Sequence, residues 1–393
     1  MKKLAIITTH PIQYNAPLFR LLNERNHIAI KVFYTWGQSA AGKKFDPGFG
    51  QDIEWDIPLL DGYHYTFVEN TATSPGSHHY KGINNPTLIK EILVWGADAV
   101  LVYGWNFKSH WAAIRFFNKK IPVFFRGDST LLDHKKGLKQ LLRRIVLSFV
   151  YAYVDIAFYA GVVNRAYFKV MGLSEKQLVF MPHAVDNKRF ASNEEIILKG
   201  SKLRQALNIS ADAFVFLFAG KLEKKKQPDF LIEGFLSLNS DTTFLVIAGS
   251  GDLEKTLKDR YSSHSFIKFI GFKNQYEMPE VYHCCDVFIL PSKGPNETWG
   301  LAINEAMAAG KAIIASDKCG ASYDLIHRNK NGFVFNSDDF SSLTTALTFF
   351  VNNKKGAEVM GKASADIIKQ YSFTGDCIAI ENGVHATVEK YIK

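Results

Sequence analysis

Two carboxylates and two lysines have the types and spacing to do chemistry in this chain. Glu297 lies in the Gly/Pro-rich stretch Pro291-Ser-Lys-Gly-Pro-Asn-Glu-Thr-Trp-Gly300, and Glu305 follows after seven intervening residues. The pattern reads as a strand end, a loop and then a helix with a small, buried face. Gly300 lets a ligand approach the backbone closely, and the amides after it point out of a helix N-terminus, where an anion is favoured. Carboxylates accept from sugar hydroxyls, whereas free amides donate to phosphate. A ligand with both kinds of group, such as a nucleotide sugar, suits the pair. Upstream, Gly220-Lys-Leu-Glu-Lys-Lys-Lys226 precedes Pro228, a residue suited to a first helical turn. Lysines in a strand-to-helix loop can neutralise a pyrophosphate. Position selects Lys221 and Lys226; Lys224 and Lys225 read as an exposed run.

Groups of this kind need strands and helices to hold them. Apolar runs at Leu4–Thr8, Ile28–Tyr34, Ala99–Tyr103, Val123–Arg126 and Ile156–Tyr159 alternate with amphipathic or polar segments. A second series runs through Phe214–Ala219, Phe244–Ala248, Phe266–Ile270, Val287–Leu290 and Ala312–Ala315. Continuous apolar runs between helical segments indicate parallel strands covered on both faces. Two series predict two doubly wound α/β sheets, with ligands beyond the carboxyl ends of the strands and a cleft between facing domains. The polar stretch Asp186–Ser201 marks the boundary. Ile145–Val163 is nearly long and apolar enough for a membrane span, but Asp155 and Gly161 favour a helix ending near Val154 and then a strand.

The chain has 393 residues, 47% hydrophobic and 22% charged, which describes a globular protein with room for two cores. Met1-Lys-Lys precedes an apolar run too short for a signal core. The four cysteines show no metal-ligand spacing and no disulfide framework, and a reducing cytoplasm is expected. A net charge of +9 fits nucleic acid, an anionic membrane or phosphorylated substrates. No zinc-finger or RNA-recognition pattern is present, so nucleic acid is not expected. In His134–Arg144, the cations Lys135, Lys136, Lys139, Arg143 and Arg144 alternate with leucines and could meet anionic lipid, giving a peripheral location at the inner membrane face.

Taken in order, Gly220-Lys-Leu…Lys226, Val246-Ile-Ala-Gly-Ser-Gly251, Phe269-Ile-Gly271 and the Glu297/Glu305 element with its Ala-Met-Ala-Ala-Gly310 ending resemble glycosyltransferase family 4. The likeness is strongest over Phe214–Phe335. Met181–Asp186 with Phe190, and the region from Tyr371 onward, extend it. The resemblance implies the GT-B fold and retaining transfer of a sugar from a nucleotide diphosphate donor, UDP- or GDP-linked, to a glycan or lipid-linked acceptor in surface polysaccharide synthesis. It implies domains at 1–186 (acceptor side) and 187–370 (donor side), and a helix at 371–393 returning to the first domain. Lys221 and Lys226 would bind the diphosphate, Glu297 the sugar hydroxyls and Glu305 the ribose. Amides at Trp299, Gly300 and Leu301 would face sugar and phosphates, while Gly249 and Gly251 would pass near the base. No metal or further cofactor is implied, and no Asp-x-Asp stands at a strand end.

The chain departs from the pattern in several places. Lys221 replaces the usual arginine and lacks its bidentate fork. Gln227 stands for a common glycine and Trp299 for a common phenylalanine. The usual glycine-rich first loop is replaced by Thr9-His-Pro-Ile-Gln-Tyr-Asn-Ala-Pro17, and Phe125-Arg-Gly-Asp-Ser129 stands where many members carry a histidine. His10, Gln13, Tyr14, Arg126 and Asp128 still follow strand ends and are the acceptor-side candidates, His10 as a catalytic one. Two rival readings are a nucleotide-sugar epimerase of the same architecture and a non-catalytic nucleotide-sugar-binding protein.

Overall fold

A computed structural model of the chain describes residues 1–37, 44–46, 48–134 and 137–392. They divide into two compact units. Unit 1 comprises Met1–Lys44, Ile57–Pro182 and Phe373–Lys393; unit 2 comprises Phe45–Asp56 and His183–Ser372. The division thus falls at Pro182/His183 and Ser372/Phe373 rather than at 186/187 and 370/371. A short early segment, Phe45–Asp56, belongs with the later unit.

Unit 1 contains strands β1 (Lys3–Thr8), β2 (Ala29–Tyr34), β5 (Tyr65–Phe67), β6 (Ala99–Tyr103), β7 (Val123–Arg126), β8 (Ile156–Tyr159) and β9 (Leu178–Phe180). They pair in parallel in the order β5-β2-β1-β6-β7-β8-β9. Alternation along β1 shows why the strand reads as one apolar run. Leu4 and Ile6 enter the core shared with the helix Ala16–Arg25, whereas Ala5 and Ile7 enter the core on the other face. Both faces are covered, so neither set can be polar. The helix Phe373–Ile392 contributes Cys377, Ile380, Val384 and Val388 to the first of these cores. Each large apolar side chain so buried stabilises by roughly 1.5–3 kcal/mol.

Strands β3 (Lys44–Asp46) and β4 (Gln51–Ile53) form a separate two-stranded sheet. The main sheet of unit 2 contains β10 (Phe214–Ala219), β11 (Thr243–Ala248), β12 (Ile267–Gly271), β13 (Val287–Leu290), β14 (Ala312–Ser316) and β15 (Gly332–Phe335). Their order is β12-β11-β10-β13-β14-β15, all parallel. The chain reverses direction across the sheet between β10 and β13. The crevice at such a switch point, beyond the carboxyl ends of the strands, is where open α/β sheets take ligands. The loops after β10 and β13 are those that carry Lys221, Lys226 and Glu297.

The apolar stretch Ile145–Val163 resolves into the end of the helix Leu138–Tyr151 followed by β8. Among the described residues, no helix is long and apolar enough to cross a membrane.

Candidate functional site

The lysine loop is held from below. Leu222 is fully buried and its amide donates to the Ser250 carbonyl at 2.9 Å, pressing the loop after β10 onto the loop after β11. Gly249 makes that approach possible. Its φ is +137°, and a Cβ there would stand 1.9 Å from the Gly220 carbonyl oxygen, closer than any side chain allows. Gly251 lies in the same loop, against the backbone of Leu222.

Lys224–Lys226 form a single 3-10 turn, and Gln227 adopts a left-handed conformation just before the helix Pro228–Leu236. This turn swings Lys226 towards the loop after β13, where Nζ donates to Glu297 Oε2. Ser292 Oγ donates to the same oxygen at 3.0 Å. Glu297 is only 8% exposed, so its carboxyl oxygens are met by these partners more than by water. A backbone bond from the Lys293 amide to the Lys225 carbonyl at 2.8 Å ties the two loops together. Gly300 then turns the chain at φ +102° into the helix Leu301–Ala308, where a Cβ would meet Leu290 Cδ2 at 2.8 Å. Lys226, Glu297, Gly300 and Leu301 are therefore drawn to one end of one sheet.

Glu305 lies inside that helix and is buried at 4% exposure. Tyr282, fully buried on the helix Met278–His283, donates to Glu305 Oε2 at 2.7 Å. Sequence reasoning missed Tyr282, and nothing in Val281-Tyr-His-Cys284 distinguishes it from an ordinary core aromatic. Trp299 turns its ring inwards: Nε1 donates to Asn304 Oδ1 at 2.8 Å, and the ring packs 5.5 Å from His183 and 6.4 Å from Tyr371. Asn304 Nδ2 in turn donates to the His183 carbonyl at 2.7 Å.

Lys221 points elsewhere. Its Nζ donates to Asp46 Oδ1 at 2.8 Å and lies 4.7 Å from the Phe49 ring centroid. Burial opposes the charge on Asp46, but the Lys221 bond and the amides of Gly48 and Phe49 outweigh it and hold this carboxyl below its ordinary range. Asp46 also escaped the sequence reading, since it lies 175 residues before its partner.

In unit 1, His10 follows β1, with Nδ1 2.9 Å from Thr9 Oγ1 and its ring edge-on to Trp36 at 5.4 Å. Gln13 and Tyr14 are half-buried beyond it, and Asp128 is exposed after β7. Arg126 is used within the fold. Buried at 6% exposure, it donates to the carbonyls of Phe158 (3.3 Å), Pro182 (3.2 Å) and Met181. Its charge acts on Asp376, whose carboxyl burial pushes well above the ordinary range while Arg126 opposes the shift.

Of the basic patch, Lys135 and Lys136 lie outside the described residues. Lys139, Arg143 and Arg144 are exposed on the helix Leu138–Tyr151. The same helix carries Leu138, Leu141, Leu142, Ile145, Val146 and Phe149, each more than half exposed.

Residues 200–366 match the family model described as glycosyl transferases group 1. An uncharacterized glycosyltransferase of Methanocaldococcus jannaschii is 27% identical over 175 residues, which are 43% of this chain and 44% of that protein. The lipopolysaccharide 1,2-N-acetylglucosaminetransferase of Salmonella typhimurium is 28% identical over 183 residues, 44% of this chain and 48% of that protein. The matches thus span less than half the length of either relative. Anabaena HepE in complex with UDP superimposes with a TM-score of 0.73 at 17% identity, covering 98% of this chain and 100% of that one. Over residues 200–366 the chain matches the group 1 glycosyl transferases, and its two parallel-sheet units have the GT-B fold.

Proposed function

We propose that the chain is a retaining glycosyltransferase of family 4 that moves a hexose from a UDP- or GDP-linked donor to a glycan or lipid-linked acceptor. The observation that carries this reading is the buried Lys226–Glu297 pair beside the Gly300 helix start, at the switch point of the unit 2 sheet. In the reaction, the bond from the anomeric carbon to the diphosphate oxygen breaks, an acceptor oxygen bonds to that carbon in its place, and the acceptor's hydroxyl proton passes to the departing diphosphate. Lys226, Lys221 and the amides at Trp299, Gly300 and Leu301 stabilise charge on the departing diphosphate. Glu297 clamps sugar hydroxyls and orients Lys226. Glu305, fixed by Tyr282, meets the ribose, and Gly249 and Gly251 leave room for the base. His10, Gln13 and Tyr14, at the strand ends of unit 1, serve the acceptor. The fold shared with a protein bound to UDP and the matched lipopolysaccharide transferase support the donor class and surface glycan synthesis.

A thermal-shift panel of UDP-, GDP-, ADP- and dTDP-sugars tests the reading. One nucleotide class is expected to raise the melting temperature of the wild type and not of Glu305→Ala. No shift with any of them sinks it.

The exposed apolar face of Leu138–Tyr151, flanked by Lys139, Arg143 and Arg144, suits the interface of an anionic bilayer, where a lipid-linked acceptor resides. Leu141→Ser with Ile145→Ser is expected to abolish co-sedimentation with phosphatidylglycerol vesicles while leaving donor-induced thermal stabilisation unchanged. Wild type that stays in the supernatant at low salt removes the membrane from the proposal.

A further inference from the structure

We propose that the turn carrying Asp46 is a cap on the donor site, holding Lys221 until the donor diphosphate displaces it. The inference rests on the donor-site reading above and adds a control to it. Lys221 and Lys226 are the two cations assigned to the diphosphate, and both are engaged by carboxylates. Their partners differ in origin. Glu297 belongs to the site itself, in a pair whose side chains are 16% and 9% exposed. Asp46 is brought in by the Phe45–Asp56 segment, in a pair whose side chains are each 32% exposed.

The turn is built to present this carboxylate. Asp46 Oδ1 accepts from the amides of Gly48 at 2.8 Å and Phe49 at 3.2 Å, so the side chain is fixed by its own backbone as well as by Lys221. Ser250 Oγ donates to the Phe49 carbonyl at 3.0 Å, and the Gly48 carbonyl oxygen stands 3.0 Å from where a Cβ on Gly251 would be. The Phe49 ring meets Phe272 edge-on at 5.0 Å. The turn therefore covers both loops assigned to the diphosphate and base. At its far end the segment is tied separately: Asn274 Nδ2 donates to the Glu54 carbonyl at 2.7 Å, and the Tyr276 amide to Asp56 Oδ2 at 3.0 Å.

Charge decides what happens when donor arrives. A diphosphate brings more negative charge to Lys221 than one carboxylate, and a phosphate seated there faces Asp46 at like-charge range. A pair as exposed as Lys221–Asp46 is weak enough to be exchanged. The cap yields at Asp46 while the anchors at Asn274 and Tyr276 retain the segment.

The test is isothermal titration of UDP and of GDP into the full chain, wild type against Asp46→Asn. Asparagine keeps the oxygen that accepts from Gly48 and Phe49 but loses the negative charge that faces Lys221. The variant is expected to bind whichever nucleotide binds wild type about two- to five-fold more tightly at low salt. That gap should narrow as salt is raised, and Lys221→Met should erase it. Equal or weaker binding by Asp46→Asn overturns the cap alone, and weaker binding assigns Asp46 to orienting Lys221. Binding of neither nucleotide by either protein overturns the donor-site reading and the cap with it.

Discussion

Lys226→Ala is expected to lower kcat at saturating donor by about 10²- to 10³-fold, the loss seen when one preorganised charge-stabilising donor is removed. Two effects combine in this variant. The leaving diphosphate loses a cation at the sheet's switch point, and Glu297 loses the counterion that compensates its burial. Ser292 still donates to Glu297 Oε2, so the cost to stability should be moderate, about 1–3 kcal/mol. Glu297→Gln added to Lys226→Ala separates the effects. It removes the stranded charge and should recover most of the stability but none of the rate. Nucleotide release measured with the donor identified by thermal shift gives kcat, and calorimetry gives stability. A single variant within three-fold of wild-type kcat would show that Lys226 carries structure alone.

The second large effect lies in unit 1 and concerns stability. Arg126→Met removes the bonds to the carbonyls of Phe158, Met181 and Pro182 together with the charge that opposes the raised pKa of Asp376. Three buried carbonyls then lose a donor, and an acceptor left unsatisfied in the core typically costs about 1–3 kcal/mol. The unfolding transition of unit 1 should move down accordingly in differential scanning calorimetry. Asp376→Asn in the same chain should restore part of that loss, because folding then no longer has to protonate a buried carboxyl. A transition unmoved by Arg126→Met would show that these bonds do not hold unit 1 together.

Arg126 illustrates where sequence reasoning stops. Its place at the carboxyl end of β7 was legible, since Val123–Arg126 is a run buried on both faces. The direction of its side chain was not, because its partners lie 32 to 250 residues away in the chain. The same division holds for the strands. Those buried on both faces, such as Phe214–Ala219, carry enough apolar signal to be bounded to the residue. β5, β9 and β15 have three or four residues and include the exposed Tyr65, Phe180 and Val334, which leaves no periodicity to read. In the candidate site, Glu297, Glu305 and the glycines were legible through order and spacing. Tyr282 and Ser292, which satisfy those carboxylates, and Asp46, which pairs with Lys221, were not, since a hydrogen-bond partner brought in by tertiary folding leaves no local pattern.

The division of the chain between its units has a consequence for synthesis. Ile380, Val384 and Val388 complete the core that Leu4 and Ile6 begin. A ribosome releases that helix only after all of unit 2 has emerged, so the unit started first is the one finished last. Until then the face of β1 that holds Leu4 and Ile6 is covered by the helix Ala16–Arg25 without Phe373–Ile392, and a nascent chain in this state presents apolar surface to chaperones and to other nascent chains. The stretch His183–Ser372, synthesised before that helix, thus sets the length of time during which the growing polypeptide is vulnerable to aggregation.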